Sequence, residues 1–127
     1  MKRVLVAEDD APTRSFLVAA LTDEGYQVSV ATDGKTALER CAEIQPDLVV
    51  LDLSMPIIDG FEFLRRRGPE CSAPVIAVSA AFRGEQLRGL RVAAFVAKPF
   101  DLHVLIGVIA RSIGVESEGQ ALTQPLN

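Results

Sequence analysis

Acidic side chains follow two short apolar segments of the sequence, and they are the residues best suited to chemistry. Glu8 and Asp9 come directly after Val4–Ala7, and Asp52 follows Leu48–Leu51. An acid at the end of an apolar strand adds little to packing. Three carboxylates brought together would repel and raise one another's pKa. Such a cluster persists when a cation lies within it, so metal binding is the first chemistry to consider.

Size and composition indicate one ordinary globular domain. The chain has 127 residues, of which 49% are hydrophobic, enough to bury a core. A formal net charge of -4 does not indicate the basic surface that nucleic-acid-binding domains carry. No apolar segment approaches the length of a membrane span. The start at Met1 leads straight into a strand without room for a signal peptide, so we expect a cytoplasmic domain with neither membrane nor nucleic-acid partners.

The cysteines Cys41 and Cys71 are expected to form neither a metal site nor a disulfide framework. Their spacing does not fit a zinc site. Cys41 also falls on the apolar face of a predicted helix. We therefore interpret it as a small buried hydrophobic side chain.

Short apolar segments alternate with helical patterns. The strand candidates are Val4–Ala7, Val28–Ala31, Leu48–Leu51, Val75–Val78 and Ala94–Val96. The helical candidates are Pro12–Glu24, Lys35–Ile44, Phe61–Arg67 and Leu102–Ile113. Strict alternation predicts an α/β domain with a parallel sheet and helices on both faces. We expect this domain to occupy residues 1–113, and residues 114–127 to be a flexible C-terminal tail or the start of a linker.

The first and last helices carry apolar stripes that predict their buried faces. These stripes are Phe16, Leu17, Ala20 and Leu21 in the first helix, and Val104, Leu105, Val108 and Ile109 in the last. Asp10 precedes the first helix and is interpreted as its N-cap. The basic run 65–67 ends the third helix, where cations complement the helix dipole.

In sheets of this kind, functional groups gather at the carboxyl ends of the strands. Glu8 and Asp9 end the first strand and Asp52 ends the third, so neighbouring strands would bring the three acids into one pocket. Ser79 ends the fourth strand and Lys98 the fifth, on the same rim. Carboxylate ligation suits Mg²⁺ or Mn²⁺ rather than zinc. A lysine beside the metal adds positive charge for a phosphoryl group, for which an exposed aspartate can be the nucleophile.

With these residues in place, the sequence resembles the response-regulator receiver domains of two-component signalling over about residues 2 to 113. The resemblance is carried by Val6–Asp10, Leu51–Pro56 with Asp59-Gly60, Val78–Ala80 and Lys98–Phe100. No single segment is very specific for the family, but the combination of these segments, in this order and at the strand ends, is highly specific. The resemblance implies a flavodoxin-like, doubly wound, five-stranded parallel sheet in the order 2-1-3-4-5, with about five helices.

The resemblance also implies roles for the acidic residues. Asp52 corresponds to the phosphoryl acceptor and is also a metal ligand. Asp9 corresponds to the acid that binds the metal directly, and Glu8 to its neighbour, which usually acts through water. Ser54 would contribute its backbone carbonyl to the metal.

Further roles follow from the resemblance on the other side of the pocket. Ser79 corresponds to the hydroxyl residue that bonds a phosphoryl oxygen, and Lys98 to the lysine that contacts the phosphate. Phe95 corresponds to an aromatic residue that moves inward on activation, together with Ser79. The Lys98-Pro99 peptide bond would be cis.

A receiver domain of this kind would take a phosphoryl group, with Mg²⁺ or Mn²⁺, from a phosphohistidine on a sensor histidine kinase or a histidine phosphotransfer protein. Phosphorylation of Asp52 would switch a face from the fourth strand to the fifth helix that binds a downstream protein. The domain would be a signalling domain rather than an enzyme, catalysing only its own phosphorylation and slow dephosphorylation. It would be freestanding or part of a larger regulator or hybrid kinase.

Two departures from the family affect that face. The stretch from Ser79 to Lys98 is about three residues shorter than is usual in the family. Its segment Phe82–Leu90 contains Gly84 and Gly89, which weaken a helix. The fourth helix is therefore expected to be short or distorted, which leaves the usual partner geometry open. The second departure is that Phe95 has no hydroxyl to form a hydrogen bond in the switch.

Two other classes of protein fit the sequence less well. A haloacid-dehalogenase-type phosphatase also uses an aspartyl phosphate, but it needs a second aspartate two residues after the nucleophile, where this chain has Ser54. A flavodoxin-like mononucleotide binder would need a phosphate-binding loop after the first strand. Glu8, Asp9 and Asp10 would instead repel a phosphate there.

Overall fold

Five strands and four α-helices alternate along the part of the chain that the computed structural model describes, residues 1–82 and 84–117. The strands are β1 (Arg3–Ala7), β2 (Gln27–Ala31), β3 (Leu48–Asp52), β4 (Val75–Ser79) and β5 (Ala94–Ala97). The helices are α1 (Ala11–Asp23), α2 (Gly34–Ile44), α3 (Gly60–Arg66) and α4 (Leu102–Ser117). Two 3₁₀ turns, Pro69–Cys71 and Gly84–Leu87, complete the described elements.

All neighbouring strands are parallel, in the order β2-β1-β3-β4-β5. This confirms the flavodoxin-like order expected from the sequence. Every residue of β3 and β4 is buried, because central strands of a parallel sheet have helices on both faces. The order also places β1 between β2 and β3, so that the winding direction reverses between β1 and β3.

Two separate apolar cores lie on the two faces of the sheet. Alternate residues of a strand point to opposite faces, so Leu5 and Val49 pack with α2 and α3, whereas Val4 and Val50 pack with α1 and α4. Leu17 and Leu21 of α1 and Leu105 and Ile109 of α4 complete the second core, and each is fully buried.

The apolar stripes of α1 and α4 are narrower than the sequence predicts. Phe16 and Val104 belong to those stripes, but their exposed fractions are 52% and 56%. Within residues 1–82 and 84–117 each helix covers one face of the sheet with no second layer outside it, so only the side chains at the centre of the stripe reach the core. Two apolar side chains of the stripes therefore face the solvent.

Aspartate caps begin three of the helices. Asp10, Asp33 and Asp59 each accept a hydrogen bond from the backbone N–H three residues later, which satisfies a donor that the helix itself leaves unpaired. The interpretation of Asp10 as an N-cap is confirmed. At the other end of α1, Gly25 has a φ of 96°, a conformation that glycine adopts without steric cost.

The expected fourth helix is replaced by the 3₁₀ turn Gly84–Leu87. The prediction that this helix is short or distorted is confirmed, and the described residues therefore contain four α-helices where about five were expected. Leu87 anchors the turn, with a fully buried side chain. Ring contact between Phe82 and Phe61, edge to face at a centroid distance of 5.0 Å, holds the segment before it.

A disulfide joins Cys41 to Cys71, with a Cα–Cα distance of 5.3 Å. The prediction that the two cysteines form no disulfide is wrong, although Cys41 is buried as expected. Cys41 lies in the last turn of α2, and Cys71 ends the 3₁₀ turn before β4. Both segments reach the amino-terminal edge of the sheet, a proximity that sequence spacing does not reveal.

The basic run at the end of α3 divides into two environments. Arg65 and Arg66 form exposed ion pairs with Glu62. Arg67 is buried, and its guanidinium donates hydrogen bonds to the carbonyl oxygens of Ala73 at 2.6 Å and Arg91 at 2.8 Å. It therefore ties the end of α3 to the segments that precede β4 and β5, a role that the sequence analysis did not assign.

Helix α4 continues to Ser117, past the boundary at residue 113 that the sequence analysis proposed. The part of the predicted tail from residue 118 to 127 lies outside the described residues. None of the helices within the described ranges has the length and apolar character needed to cross a membrane.

The start of α2 makes a very close approach to the loop after β3. A Cβ built on Gly34 would lie 1.8 Å from the carbonyl oxygen of Ile58. Because the neighbouring atom is backbone, it cannot move aside as a flexible side chain could. Glycine at this position therefore sets the distance between α2 and the loop that leads from Asp52 to α3.

We expect Gly34→Ala to lower the free energy of unfolding by at least about 2 kcal/mol, because either α2 or the loop must shift. Urea denaturation measures the change. Gly107→Ala is the matched control, since its nearest neighbour would be Arg111 Nη1 at 3.6 Å. It should stabilise α4 by about 0.5–1 kcal/mol through helix propensity. Equal effects of the two substitutions would contradict the importance of the close approach.

Candidate functional site

The register of the sheet brings the predicted site residues to one edge. Ala7 pairs with Leu51, and Asp52 pairs with Val78. Glu8, the next residue after β1, therefore lies beside Asp52 at the end of β3. On the other side, Ser79 pairs with Ala97, and Lys98 follows directly.

The carboxylates of Glu8, Asp9 and Asp52 form one cluster, with one oxygen of each lying within 4.8 Å of the others. Glu8 and Asp52 are buried, with exposed fractions of 1% and 4%, whereas Asp9 is exposed. The cluster is therefore closed on the protein side and open to solvent at Asp9. Any ion or phosphoryl group would approach from that side.

Lys98 is the cation that the buried acids contact directly. Its Nζ donates to Glu8 Oε1 at 2.8 Å and lies 3.4 Å from Asp52 Oδ2. The backbone N–H of Lys98 donates to the Ser79 carbonyl oxygen at 2.8 Å, which extends the pairing of β4 and β5 by one residue. The Lys98-Pro99 peptide bond is cis.

The two oxygens of Asp52 have different surroundings. Oδ1 accepts a hydrogen bond from the backbone N–H of Ser54 at 3.0 Å, and Oδ2 faces Lys98 Nζ. The side chain is thus oriented from both sides. Ser54 itself is exposed, on the loop that leaves the carboxyl end of β3.

Burial, followed by the neighbouring Asp52 carboxylate, raises the pKa of Glu8 to about 7, although Lys98 offsets part of the effect. Burial alone would lower the pKa of Lys98. The hydrogen bond from Lys98 to Glu8 and the charge of Asp52 outweigh burial and raise it above its ordinary value. The lysine is therefore charged, and Glu8 can hold a proton near neutral pH. A divalent cation would displace that proton.

Arg14 supports the acidic loop and was missed by the sequence analysis. Its Nη1 donates to the backbone carbonyl of Glu8 at 3.0 Å and lies 3.4 Å from that of Asp9. The guanidinium thus fixes the backbone that carries both acids. The available signal was an arginine in the first turn of the helix that follows an acidic run.

The hydroxyl of Ser79 is already engaged with the segment that follows β4. Its Oγ accepts hydrogen bonds from the backbone N–H groups of Ala81 and Phe82, each at 3.0 Å, and the side chain is buried. These two bonds make Ser79 the turn residue that starts the segment leading to the 3₁₀ turn. A movement of the Ser79 hydroxyl would break or lengthen these two hydrogen bonds and so displace that segment.

Phe95, the predicted switch aromatic, is half-buried and packs against the core on the α2–α3 face of the sheet. Its ring lies below the 3₁₀ turn, since a Cβ on Gly84 would be 3.8 Å from the ring carbon Cδ2. Phe95 is thus distant in sequence from Ser79 but contacts the segment that Ser79 starts. The structure brings Glu8 and Asp52 into direct contact with Lys98, whereas Ser79 and Phe95 are linked through this segment.

The donor set fits a divalent cation. All three acids offer carboxylate oxygens, which hard cations such as Mg²⁺ prefer. Burial, with a smaller contribution from Asp52, raises the pKa of Glu8 and makes its carboxylate costly to hold without a cation. The site has one open side at Asp9, consistent with a metal that keeps water ligands. The acidic cluster is therefore compatible with a divalent metal site.

Fold and site together define a doubly wound α/β domain with an acidic, lysine-containing pocket at the carboxyl ends of its central strands. The family model of the response regulator receiver domain matches residues 4–110. The chain belongs to this family, whose members are signalling domains of two-component systems.

Relatives and solved structures agree with this assignment. The chain is 36% identical over 121 residues to the regulatory protein AtoC of Escherichia coli strain K12, which covers 92% of the chain and 26% of AtoC. It spans about a quarter to about half of the length of the curated relatives it matches. The receiver domain of Francisella response regulator 1452 superposes with a TM-score of 0.83 at 30% identity, covering 91% of the chain and 99% of that domain.

A second solved structure is the receiver domain of the sensor histidine kinase PA1611 from Pseudomonas aeruginosa PAO1. It superposes with a TM-score of 0.78 at 26% identity, covering 89% of the chain and 98% of that domain. That receiver domain has a magnesium ion coordinated in its active-site cleft.

Metal binding should depend on pH through Glu8. The pKa of this residue is raised from 4.5 to about 7, so its protonated form stabilises the metal-free fold below about pH 4.5 and this contribution is lost as pH rises through 7. The metal competes with the same proton. We expect the affinity for Mg²⁺, measured by calorimetry, to fall roughly eightfold from pH 7.5 to pH 6.

Glu8→Gln serves as the control for this titration, because it removes the titrating group while keeping the shape of the side chain. The variant should bind Mg²⁺ more weakly and with little change over the same pH range. A wild-type affinity that is constant from pH 6 to pH 7.5 would contradict the assignment of the titration to Glu8.

Proposed function

We propose that this domain accepts a phosphoryl group on Asp52 from a phosphohistidine of a sensor histidine kinase or histidine phosphotransfer protein. The observation that carries the proposal is the position of the Asp52 carboxylate. It is held by the Ser54 N–H on one side and faces Lys98 on the other, within the acidic cluster. Asp52 is thus oriented for attack at the open side of the pocket.

In the proposed transfer, an oxygen of Asp52 forms a bond to phosphorus as the nitrogen–phosphorus bond of the phosphohistidine breaks. The imidazole leaves and takes up a proton. A divalent cation bound by Glu8, Asp9, Asp52 and the Ser54 carbonyl would neutralise charge on the phosphoryl oxygens. Lys98 supplies a further positive charge from the opposite side. Water later attacks the phosphorus, the bond from phosphorus to the Asp52 oxygen breaks, and inorganic phosphate leaves as the carboxylate is restored.

Lys98 changes partners in this scheme. Before transfer its ammonium group contacts Glu8 and Asp52. Once Asp52 carries a phosphoryl group, the added negative charge offers the same ammonium a stronger partner. The lysine is already at the pocket and needs only a small movement. The ion pairs with Glu8 and Asp52 therefore hold the ammonium group of Lys98 where the phosphoryl group would arrive.

The output of the proposed reaction is a conformation. The phosphoryl group would draw the Ser79 hydroxyl toward it, which disturbs the two hydrogen bonds to Ala81 and Phe82. That segment covers the ring of Phe95, so a rearrangement there would let Phe95 move inward. The result is a population shift of the face between β4 and α4, which a downstream protein reads.

The wider setting follows from the same proposal. The domain would act in the cytoplasm, where histidine kinases present their phosphohistidines, and would use Mg²⁺ or Mn²⁺. It would catalyse its own phosphorylation and slow dephosphorylation without turning over a separate substrate. Residues 1–113 would suffice for the reaction, with the remaining residues serving as a tail or linker, either alone or within a larger regulator or hybrid kinase.

Asp52→Asn should abolish Mg²⁺-dependent labelling by a small phosphoryl donor such as acetyl phosphate, because the amide is not a nucleophile for phosphorus. Intact mass and hydroxylamine sensitivity measure the acyl phosphate. Asp47→Asn is the matched control, since Asp47 lies at the opposite edge of the sheet beside Arg3, and it should label at the wild-type rate. Labelling of Asp52→Asn at the wild-type rate would reject the proposal.

Ser79 should couple the reaction to the face that responds. In Ser79→Ala, Asp52 should still take up the phosphoryl group, but the change in amide hydrogen exchange over residues 80–97 should be lost. The fold should also lose about 1 kcal/mol, because two N–H groups lose their acceptor. Ser79→Thr retains the hydroxyl and should restore the exchange response. An unchanged response in Ser79→Ala would exclude this residue as the link.

A further inference from the structure

The Cys41–Cys71 disulfide lies at the amino-terminal ends of the strands, opposite to the acidic pocket at their carboxyl ends. Cys41 is in the last turn of α2, and Cys71 precedes β4, where the strand begins. The bond closes a loop with a sequence separation of 30 residues. This loop contains the whole of β3, the Asp52 side chain and α3. The bond therefore encloses the strand and the loop that carry Asp52 and Ser54 without contacting the site.

A cavity of about 300 Å³ reaches this edge, and Cys71 forms part of its wall. Cys41 does not line the cavity, and its side chain is fully buried. Cys71 is nearly buried as well, with an exposed fraction of 2%. Of the two cysteines, Cys71 is therefore the one that lies next to the cavity. The volume is at the lower end of the range for small-molecule sites.

The charges around the cavity are mixed. Lys2 lines it together with Asp47 and Glu70. Asp47 is engaged by the backbone N–H of Arg3 at 2.7 Å, whereas Glu70 is exposed. Glu70 is thus the carboxylate best placed to repel an anionic reagent that approaches Cys71.

We propose that Cys41 and Cys71 form a reversible thiol–disulfide exchange site, opened by a low-molecular-weight thiol that enters the cavity and attacks Cys71. The thiolate of the reagent bonds to Cys71 Sγ, and Cys41 leaves as a thiolate that takes up a proton. A second thiol releases Cys71 by the same reaction. Overall the protein gains two electrons and two protons, and two thiols become one disulfide.

The mechanical effect of the bond follows from the packing of α2. This helix is fixed at its start by the contact between Gly34 and the Ile58 carbonyl, and at its end by Cys41. Opening the disulfide frees the second attachment only. The acidic cluster lies at the other end of the strands, so the exchange site should alter the stability of the domain and leave phosphorylation of Asp52 intact.

The first experiment follows the folded protein in glutathione buffers. In oxidised glutathione, intact mass should show a disulfide and no reaction with N-ethylmaleimide. After incubation in excess reduced glutathione without denaturant, samples quenched in acid and then alkylated in denaturant should carry two alkylated cysteines, and the melting temperature should fall by roughly 10–15 °C. Free thiols in the oxidising buffer would overturn the proposal, as would a disulfide that opens only after unfolding in denaturant.

The Cys41→Ala/Cys71→Ala double variant is the control for stability, and its melting temperature should be independent of the glutathione ratio. If this variant does not fold, the alkylation result on the natural chain still decides. Labelling by acetyl phosphate at 25 °C should be equal in both redox states, and its loss on reduction alone would contradict the proposed separation. Failure to label in both states would count against the proposed function instead, and the exchange result would stand.

A third experiment tests the route through the cavity. At low ionic strength, Glu70→Gln should speed reduction by anionic glutathione about threefold, because one repelling charge is removed. Reduction by the neutral dithiothreitol should be unchanged. Glu43→Gln is the matched control, since Glu43 is an exposed acid of α2 outside the cavity wall. Equal glutathione rates in both variants and the natural chain would exclude this route.

Discussion

The buried carboxylates at the ends of β1 and β3 are the constraint on which the site depends. Glu8 and Asp52 have almost no contact with solvent, yet they lie together and share one cation, Lys98. One positive charge does not balance two or three negative ones. Burial, with a smaller contribution from Asp52, raises the pKa of Glu8. The excess of negative charge makes the pocket suited to a divalent ion. Lys98 is close enough to contact a negatively charged group that joins the pocket.

The fold meets this constraint through backbone interactions rather than by surrounding the acids with further charges. The parallel register puts Glu8 beside Asp52, and pairing of Lys98 with Ser79 fixes the lysine opposite to them. Arg14 binds carbonyl oxygens and not carboxylates. It therefore steadies the acidic loop without neutralising it. The paired strands thus hold the carboxylates together, and the excess negative charge remains available to a cation.

The sequence predicted those parts of the fold and the site that depend on local patterns of residues. Apolar segments located all five strands, and the acids and Lys98 at their ends predicted the pocket. The glycines and the short stretch between Ser79 and Lys98 predicted a short or distorted fourth helix, and a 3₁₀ turn lies at that place. The Cys41–Cys71 bond could not be read in this way, because it joins segments 30 residues apart whose proximity depends on how α2 and α3 pack. The role of Arg67 was missed for the same reason, since its acceptors are loop carbonyl oxygens, one of them on Arg91, 24 residues away in sequence.

The 3₁₀ turn that replaces a helix has a consequence for recognition. A full helix presents a preformed ridge, and a partner that binds it loses little conformational freedom. Here the corresponding stretch is attached by the buried side chain of Leu87, the ring contact of Phe82 and the clasp of Arg67 on Arg91. A partner would meet an anchored surface without such a ridge, so the geometry of its binding should differ from the one that a full helix permits.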